Sequence, residues 1–189
     1  DSKGRILSQT DANGNTTEYS YSPAGNLLSV KDPEGNTTTY TYNALGQMLT
    51  ATDPLGNTVS YEYDILGQVA SITDTEGGKT TFTYTANGQI ETVTDAGGAL
   101  SKYSYDACGN LVQIIDPLGN VVAYEYDAMN NQIQECLSTS EAQTCVTVYQ
   151  YDMRGCRIRE INPLSEQKTH IYDGNGNIIV RLDEENNES

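Results

Sequence analysis

The sequence predicts an all-β protein assembled from tandem 21-residue units, each an antiparallel pair of short strands, and three sets of residue columns carry that prediction. Glycine returns at Gly4, Gly25, Gly46, Gly67, Gly88 and Gly109, gives way to Asn130, and resumes at Gly155 and Gly176 after one gap of 25 residues. A second glycine column runs through Gly14, Gly35, Gly56, Gly77, Gly98 and Gly119, and is lost in the inserted repeat and at Ser165. All 14 tyrosines fall in two more columns: Tyr19, Tyr40, Tyr61, Tyr103, Tyr124 and Tyr149 in one, and Tyr21, Tyr42, Tyr63, Tyr84, Tyr105, Tyr126, Tyr151 and Tyr172 in the other. Aspartate supplies the third set, because all 13 fall in turn columns such as Asp53 and Asp64.

One unit, Asp53 to Gly67, shows the local chemistry. Asp53-Pro54-Leu55-Gly56 and Asp64-Ile65-Leu66-Gly67 suit type I turns that end in a left-handed residue: Asp bonds backbone N–H groups two residues on, and Gly accepts positive φ. Asn130 keeps this pattern, since Asn is the non-glycine residue that best tolerates the left-handed region. Tyr61 and Tyr63, two residues apart, share one face of a strand, with Glu62 on the other. Phe82 and His170, the only residues of their types, fill the two gaps in the tyrosine columns.

In chain order, residues Asp1 to Asp116 are regular. A first strand such as Asn26 to Lys31 alternates with a second such as Asn36 to Tyr42, and the odd spacing of Leu27 and Val30 predicts a bulge after Gly25. From Met129 the pattern degrades, and Leu137 to Thr144 stands where the Asp-Pro-x-Gly turn is expected. The frame recovers at Tyr149-Gln150-Tyr151-Asp152, and Asp173 to Glu185 is again recognisable. Residues 1–189 thus read as one array of about nine repeats, with four residues inserted within 129–152. Nine first and eight second strands form one meander, and an open sheet of much more than about ten strands must curl or split, so identical bulged turns favour a spiral. Apolar columns Leu27, Met48, Val69, Ile90, Leu111 and Val30, Ala51, Ile72, Val93, Ile114 are expected between successive tyrosine rings, as cross-strand partners.

With 37% apolar residues, many of them Tyr, the 189-residue chain predicts no thick aliphatic core. The net charge of −16 is largely turn geometry, since half of the 26 acids are turn aspartates. Ten Lys and Arg leave no basic footprint for nucleic acid or an anionic membrane, and no apolar run of about 18 residues predicts a membrane span. The chain opens on a turn Asp and ends inside the next repeat's first turn without an atypical capping sequence, which predicts a stretch of a longer array.

The pattern Tyr-x-Tyr-Asp-x-x-Gly-Asn/Gln, as in Tyr61-Glu62-Tyr63-Asp64-Ile65-Leu66-Gly67-Gln68, followed by Thr52-Asp53-Pro54-Leu55-Gly56-Asn57 or Thr73-Asp74, resembles the Rhs or YD repeat. The resemblance covers essentially the whole chain and is weakest over Met129 to Val148. It implies a large secreted or surface protein, bacterial in the polymorphic toxins, or a relative such as the toxin-complex proteins and teneurins. In these the repeats wind into a hollow shell, and in the toxins the shell encloses a C-terminal effector. The family's self-cleaving Asp-Pro-x-Gly-Leu segment is not matched, because Asp53-Pro54-Leu55-Gly56-Asn57 and Asp116-Pro117-Leu118-Gly119-Asn120 carry Asn in place of that Leu.

No catalytic, cofactor-binding or metal-binding residue is assigned, and no cofactor is expected. Cys156 and His170 form a nominal nucleophile and base, but His170 occupies a tyrosine slot, where a packed ring is expected. Asp173-Gly174-Asn175-Gly176-Asn177 resembles the start of a calcium loop with Glu184 twelfth, yet Ile178 stands where that loop needs Gly. Cys108, Cys136, Cys145 and Cys156 lack C-x-x-C spacing for zinc. Cys136 and Cys145 flank the inserted turn, so antiparallel pairing is expected either to bring their Cα atoms within the about 4.4–6.8 Å of a disulfide or to leave two small strand-end residues.

Two functions follow. The first is a structural shell segment, not an enzyme, whose partners are flanking repeats and an enclosed effector. The alternative is a surface adhesive module that binds glycan or protein through the tyrosine face.

Overall fold

The structure, a computed structural model, describes residues 1–139 and 145–182. Among these are seventeen strands and no helix. The first strands of the repeats are β1 (Ser8–Thr10), β3 (Leu27–Lys31), β5 (Met48–Thr52), β7 (Val69–Thr73), β9 (Ile90–Thr94), β11 (Leu111–Ile115), β13 (Gln132–Ser138), β15 (Arg157–Ile161) and β17 (Ile178–Leu182). The second strands are β2 (Thr16–Tyr21), β4 (Thr37–Tyr42), β6 (Thr58–Tyr63), β8 (Lys79–Tyr84), β10 (Leu100–Tyr105), β12 (Val121–Tyr126), β14 (Cys145–Tyr151) and β16 (Gln167–Tyr172). The alternation read from the sequence is thus observed, nine strands against eight.

Two compact units divide the chain, one of Asp1–Gln89 with Val93–Gly98, the other of Ile90–Thr92 with the residues from Ala99 onward. In the first, β1 to β8 form an antiparallel meander in chain order. In the second, β10 to β17 do the same.

Both turn types close alike. Asp53 N donates to Asn57 O at 2.9 Å and Gly56 N to Asp53 O at 3.0 Å; Asp64 N donates to Gln68 O at 2.9 Å and Gly67 N to Asp64 O at 3.1 Å. This is the type I turn with a left-handed fourth residue that the sequence predicts. The fourteen glycines of the two columns are the positive-φ glycines of the structure, and Asn130 joins them at φ 64°. Ser165, where the column reads as lost, nevertheless takes φ 69°. The turn is therefore kept there, with a residue that strains it.

The bulge also appears, at one place in seven hairpins. Ser20 pairs with Ser29 but Tyr21 with Leu27, which leaves Leu28 as the extra residue; the same shift occurs at Thr41/Tyr42 and Glu62/Tyr63, and in the second unit at Ser104/Tyr105, Glu125/Tyr126, Gln150/Tyr151 and Ile171/Tyr172. A bulge bends its strand and increases the local twist, so bends of one sense recur through each meander.

No hydrophobic residue among those described is fully buried, and only Ser71, 2% exposed, is a buried polar residue. Each meander is one layer with two half-covered faces. One face carries hydroxyl pairs such as Ser20 with Ser29 and Thr41 with Thr50, both at 2.6 Å. On it Glu62 accepts from Ser71 at 2.8 Å and from Lys79 at 2.7 Å, and these two partners, Lys79 first, hold its carboxyl below the usual range. The other face carries the tyrosines.

One expectation is corrected around the insertion, and one pair of alternatives is narrowed. Leu137 and Ser138 belong to β13, paired with Val122 and Val121, so they extend the ladder rather than forming the substitute turn. Residues 140–144 of that expected turn lie outside the described residues. Cys136 carries a free thiol. It stands opposite Val146, while Cys145 stands opposite Leu137, so the two cysteines are one residue out of step in the ladder.

Candidate functional site

Turn carboxylates are the most numerous reactive groups, and the turns consume them. Asp53 Oδ1 accepts from Leu55 N at 2.8 Å and Asn57 N at 2.9 Å, while Oδ2 accepts from Asn57 Nδ2 at 2.7 Å. The Asn57 side chain, then the backbone N–H groups, hold this carboxyl below the ordinary Asp range despite some opposing desolvation. Asp11, Asp32, Asp106, Asp116, Asp127 and Asp173 are lowered in the same way, each chiefly by the Asn four residues on. A carboxylate that accepts three bonds within its own turn is a closing device, not an acid or base poised for chemistry.

Tyrosine hydroxyls are used as systematically, and here sequence reasoning missed the role. Tyr63 donates to Met48 O at 2.7 Å, Tyr84 to Val69 O at 2.8 Å, and Tyr105 to Ile90 O and Tyr126 to Leu111 O at 2.9 Å. Tyr151 and Tyr172 continue the series to Gln132 O and Arg157 O at 2.7 and 2.8 Å. Each bond in the regular repeats reaches back 15 residues to the start of the adjacent first strand, where the bulge interrupts the ladder. The constant separation was visible in the columns; the reach of a phenol across a hairpin's open end was not. Partial burial raises the Tyr84, Tyr126 and Tyr151 hydroxyls, which keeps them protonated as donors. Tyr63→Phe is expected to lower stability by about 0.5–1.5 kcal/mol in a urea melt, the usual net value of one such bond, with the strand content unchanged.

The ring partners follow the sequence reading in the regular repeats. Tyr19 faces Val30, Tyr21 faces Leu27, Tyr61 faces Ile72 and Tyr63 faces Val69. After β12 the partners change, because Tyr124 faces Glu135, Tyr126 faces Gln132, Tyr149 faces Glu160, Tyr151 faces Arg157 and His170 faces Arg181. In the second unit Arg157, Glu160, Lys168, His170, Tyr172, Ile178, Arg181 and Leu182 line an open cleft of about 470 Å³. Arg157 sits 5.2 Å from the centroid of the Tyr149 ring and 3.6 Å from a Glu160 oxygen.

The nominal nucleophile and base do not form a pair. Cys156 closes a turn, its N donating to Asp152 Oδ1 and its O accepting from Asp152 N, both at 2.9 Å. His170 Nδ1 lies 3.3 Å from Arg157 O, and no hydrogen bond joins His170 to Cys156 among the described residues. In the calcium-like stretch Asp173 Oδ1 accepts from Asn175 N and Asn177 N at 2.8 and 2.9 Å, as in any other turn; Glu184 lies outside the described residues. No group of three or more His, Cys, Asp or Glu residues placed to hold a metal ion occurs among the described residues.

The teneurin YD-shell family model matches residues 37–188, and the RHS repeat family model matches residues 1–37. No curated protein matches the sequence. Among solved structures the chain is similar to one in the Photorhabdus luminescens Tc holotoxin pore with a TccC3 mutation, at 21% identity and a TM-score of 0.74. It is also similar to one in the crystal structure of TcdB2-TccC3-TEV, at 15% identity and a TM-score of 0.76. The matches cover 89% and 100% of this chain but only 11% and 12% of those chains, and at such identities the likeness is one of fold.

Proposed function

Since the chain belongs to the teneurin YD-shell family, we propose that residues 1–189 are one continuous stretch of shell wall in a secreted or cell-surface toxin-like protein, and that the wall encloses a C-terminal effector. The observation that carries the reading is how the polar chemistry is spent: turn aspartates close their own turns, and tyrosine hydroxyls tie neighbouring strands. Such a chain presents a barrier, not a reaction centre. Its partners are flanking repeats and the enclosed segment. The absence of a fully buried hydrophobic residue among those described fits a wall one sheet thick, in which each repeat is held by its neighbours.

Limited proteolysis of the whole polypeptide that carries this array tests the reading. Protease is expected to spare the segment C-terminal to the array while the wall is intact, and to digest it once Gly67→Val opens the wall. Equal digestion in both proteins would overturn enclosure, and the adhesive alternative would then be preferred.

A further inference from the structure

We infer that the tyrosine face of β15 to β17 is a binding site for a small ligand bearing oxyanions, such as a phosphate ester or a sulfated sugar. This rests chiefly on Lys168 and Arg181, whose side chains form no ion pair among the described residues, and it does not depend on the shell reading.

The distribution of charge is the first argument. The chain has ten Lys and Arg against 26 acids, yet five of the ten, Arg154, Arg157, Arg159, Lys168 and Arg181, fall between residues 154 and 181. Three of these line one cleft of about 470 Å³, a volume within the usual range for small-molecule sites.

Position is the second argument. Arg157 stands in the column of Leu27, Met48, Val69, Ile90 and Leu111; Arg181 in that of Val30, Ala51, Ile72, Val93 and Ile114; and Lys168 in that of Thr17, Thr38, Val59 and Thr80. The earlier repeats show that the fold needs only apolar or hydroxyl side chains there. Register confirms that the charges share a face, because Glu160 pairs with Lys168, His170 with Arg181, and Tyr151 with Arg157.

The third argument is the balance within the cleft. Glu160 is the only acid lining it among the described residues and lies beside Arg157, which also stacks on Tyr149. Lys168 and Arg181 make no ion pair among the described residues, and the described lining carries three cations, Arg157, Lys168 and Arg181, against the one acid. Arg presents a planar fork that matches two oxygens of one phosphate or sulfate, while Lys adds a point charge with three donors. His170 and the Tyr172 ring line the same wall, the Tyr172 hydroxyl donating to Arg157 O.

Titration calorimetry on the folded 189-residue chain at low salt tests the site, with inorganic pyrophosphate, a sulfated disaccharide and its unsulfated counterpart as probes. One of the two anions is expected to bind saturably, which identifies the source of the oxyanion, and the uncharged sugar is expected not to bind. Arg181→Gln and Lys168→Gln should each weaken that binding about tenfold, Arg181→Lys should weaken it less, and Lys102→Gln, at a cation outside the cleft, should leave it unchanged. A chain ended at Leu182 is titrated in parallel, so that the acidic residues beyond it cannot mask the cleft. The inference is overturned if neither anion saturates either chain, or if Lys102→Gln weakens binding as much as Arg181→Gln.

Discussion

Gly67→Val is expected to be the most damaging single substitution in the regular part of the array. Gly67 holds φ 85°, where a β-branched residue is a steric outlier, and backbone strain of this kind costs about 1–3 kcal/mol. A Cβ there would also stand 3.1 Å from Gln47 Nε2, the atom that donates to Gly67 O at 2.9 Å, so the link between neighbouring turns is strained as well. Gly56→Val is the informative comparison: φ is 90° but nothing lies within 4 Å of the new Cβ, so it should show the backbone cost alone. Gly67→Asn should be milder than either, because Asn130 already occupies the equivalent position at φ 64°. Urea melts of the three proteins should rank them in that order, and a Gly67→Val protein as stable as the parent would contradict the turn geometry.

Acid is expected to destabilise the whole array, since the same turn recurs. Asp11, Asp32, Asp53, Asp106, Asp116, Asp127, Asp152 and Asp173 all have lowered pKa values in the folded chain. For a depressed carboxyl the folded state binds fewer protons than the unfolded chain, so its contribution is complete above the unfolded value of about 3.9 and is lost as pH falls through the folded value. Each contribution is small and solvent-screened; their number makes the effect large. Thermal melts should thus be flat from neutral pH to about pH 5 and fall steeply below about pH 4. The chain itself supplies the control. Asn43 Oδ1 accepts from Leu45 N at 2.9 Å and Gln47 N at 3.0 Å, and its Nδ2 donates to Gln47 Oε1 at 2.7 Å, so an amide closes the same turn without a titrating group. Replacing the eight aspartates by Asn should preserve the strands and flatten the acid limb.

How much of this was legible in the sequence follows from the range of each interaction. Turns, strand number, bulge and face were readable because Gly67, Asp64 and Tyr63 report on backbone conformation within a few residues. The partners Leu27 and Val30 for Tyr21 and Tyr19 were readable because a 21-residue period fixes register. The Tyr63 to Met48 bond was not, because it depends on how far a phenol reaches past a bulge. Nor was the Cys136 register, which turns on how the four inserted residues divide between longer strands and a longer loop. The charged cleft lay in plain view at Arg157, Lys168 and Arg181, but its residues become a group only when β15, β16 and β17 are set side by side.

The two borders of these sheets differ in a way that gives the array a direction of variation. Along one border the turns are stitched to each other: Lys3 Nζ donates to Pro23 O at 2.5 Å, Gln68 Nε2 to Gly88 O at 3.1 Å, Arg154 Nη1 to Asp173 O at 3.0 Å, and the tyrosine hydroxyls anchor alongside. The length of each stitched loop is fixed by its neighbours, and changing one would unpick two. Along the other border turns such as Asp32 to Asn36 are closed by their own atoms, and it is there, between β13 and β14, that the chain lengthens and still returns to register at Leu137 opposite Cys145. In this array the added sequence therefore enters on the border opposite the stitched turns. A peptide grafted into that loop should leave the repeats on either hand intact, whereas the same peptide placed between Asp64 and Gln68 should not.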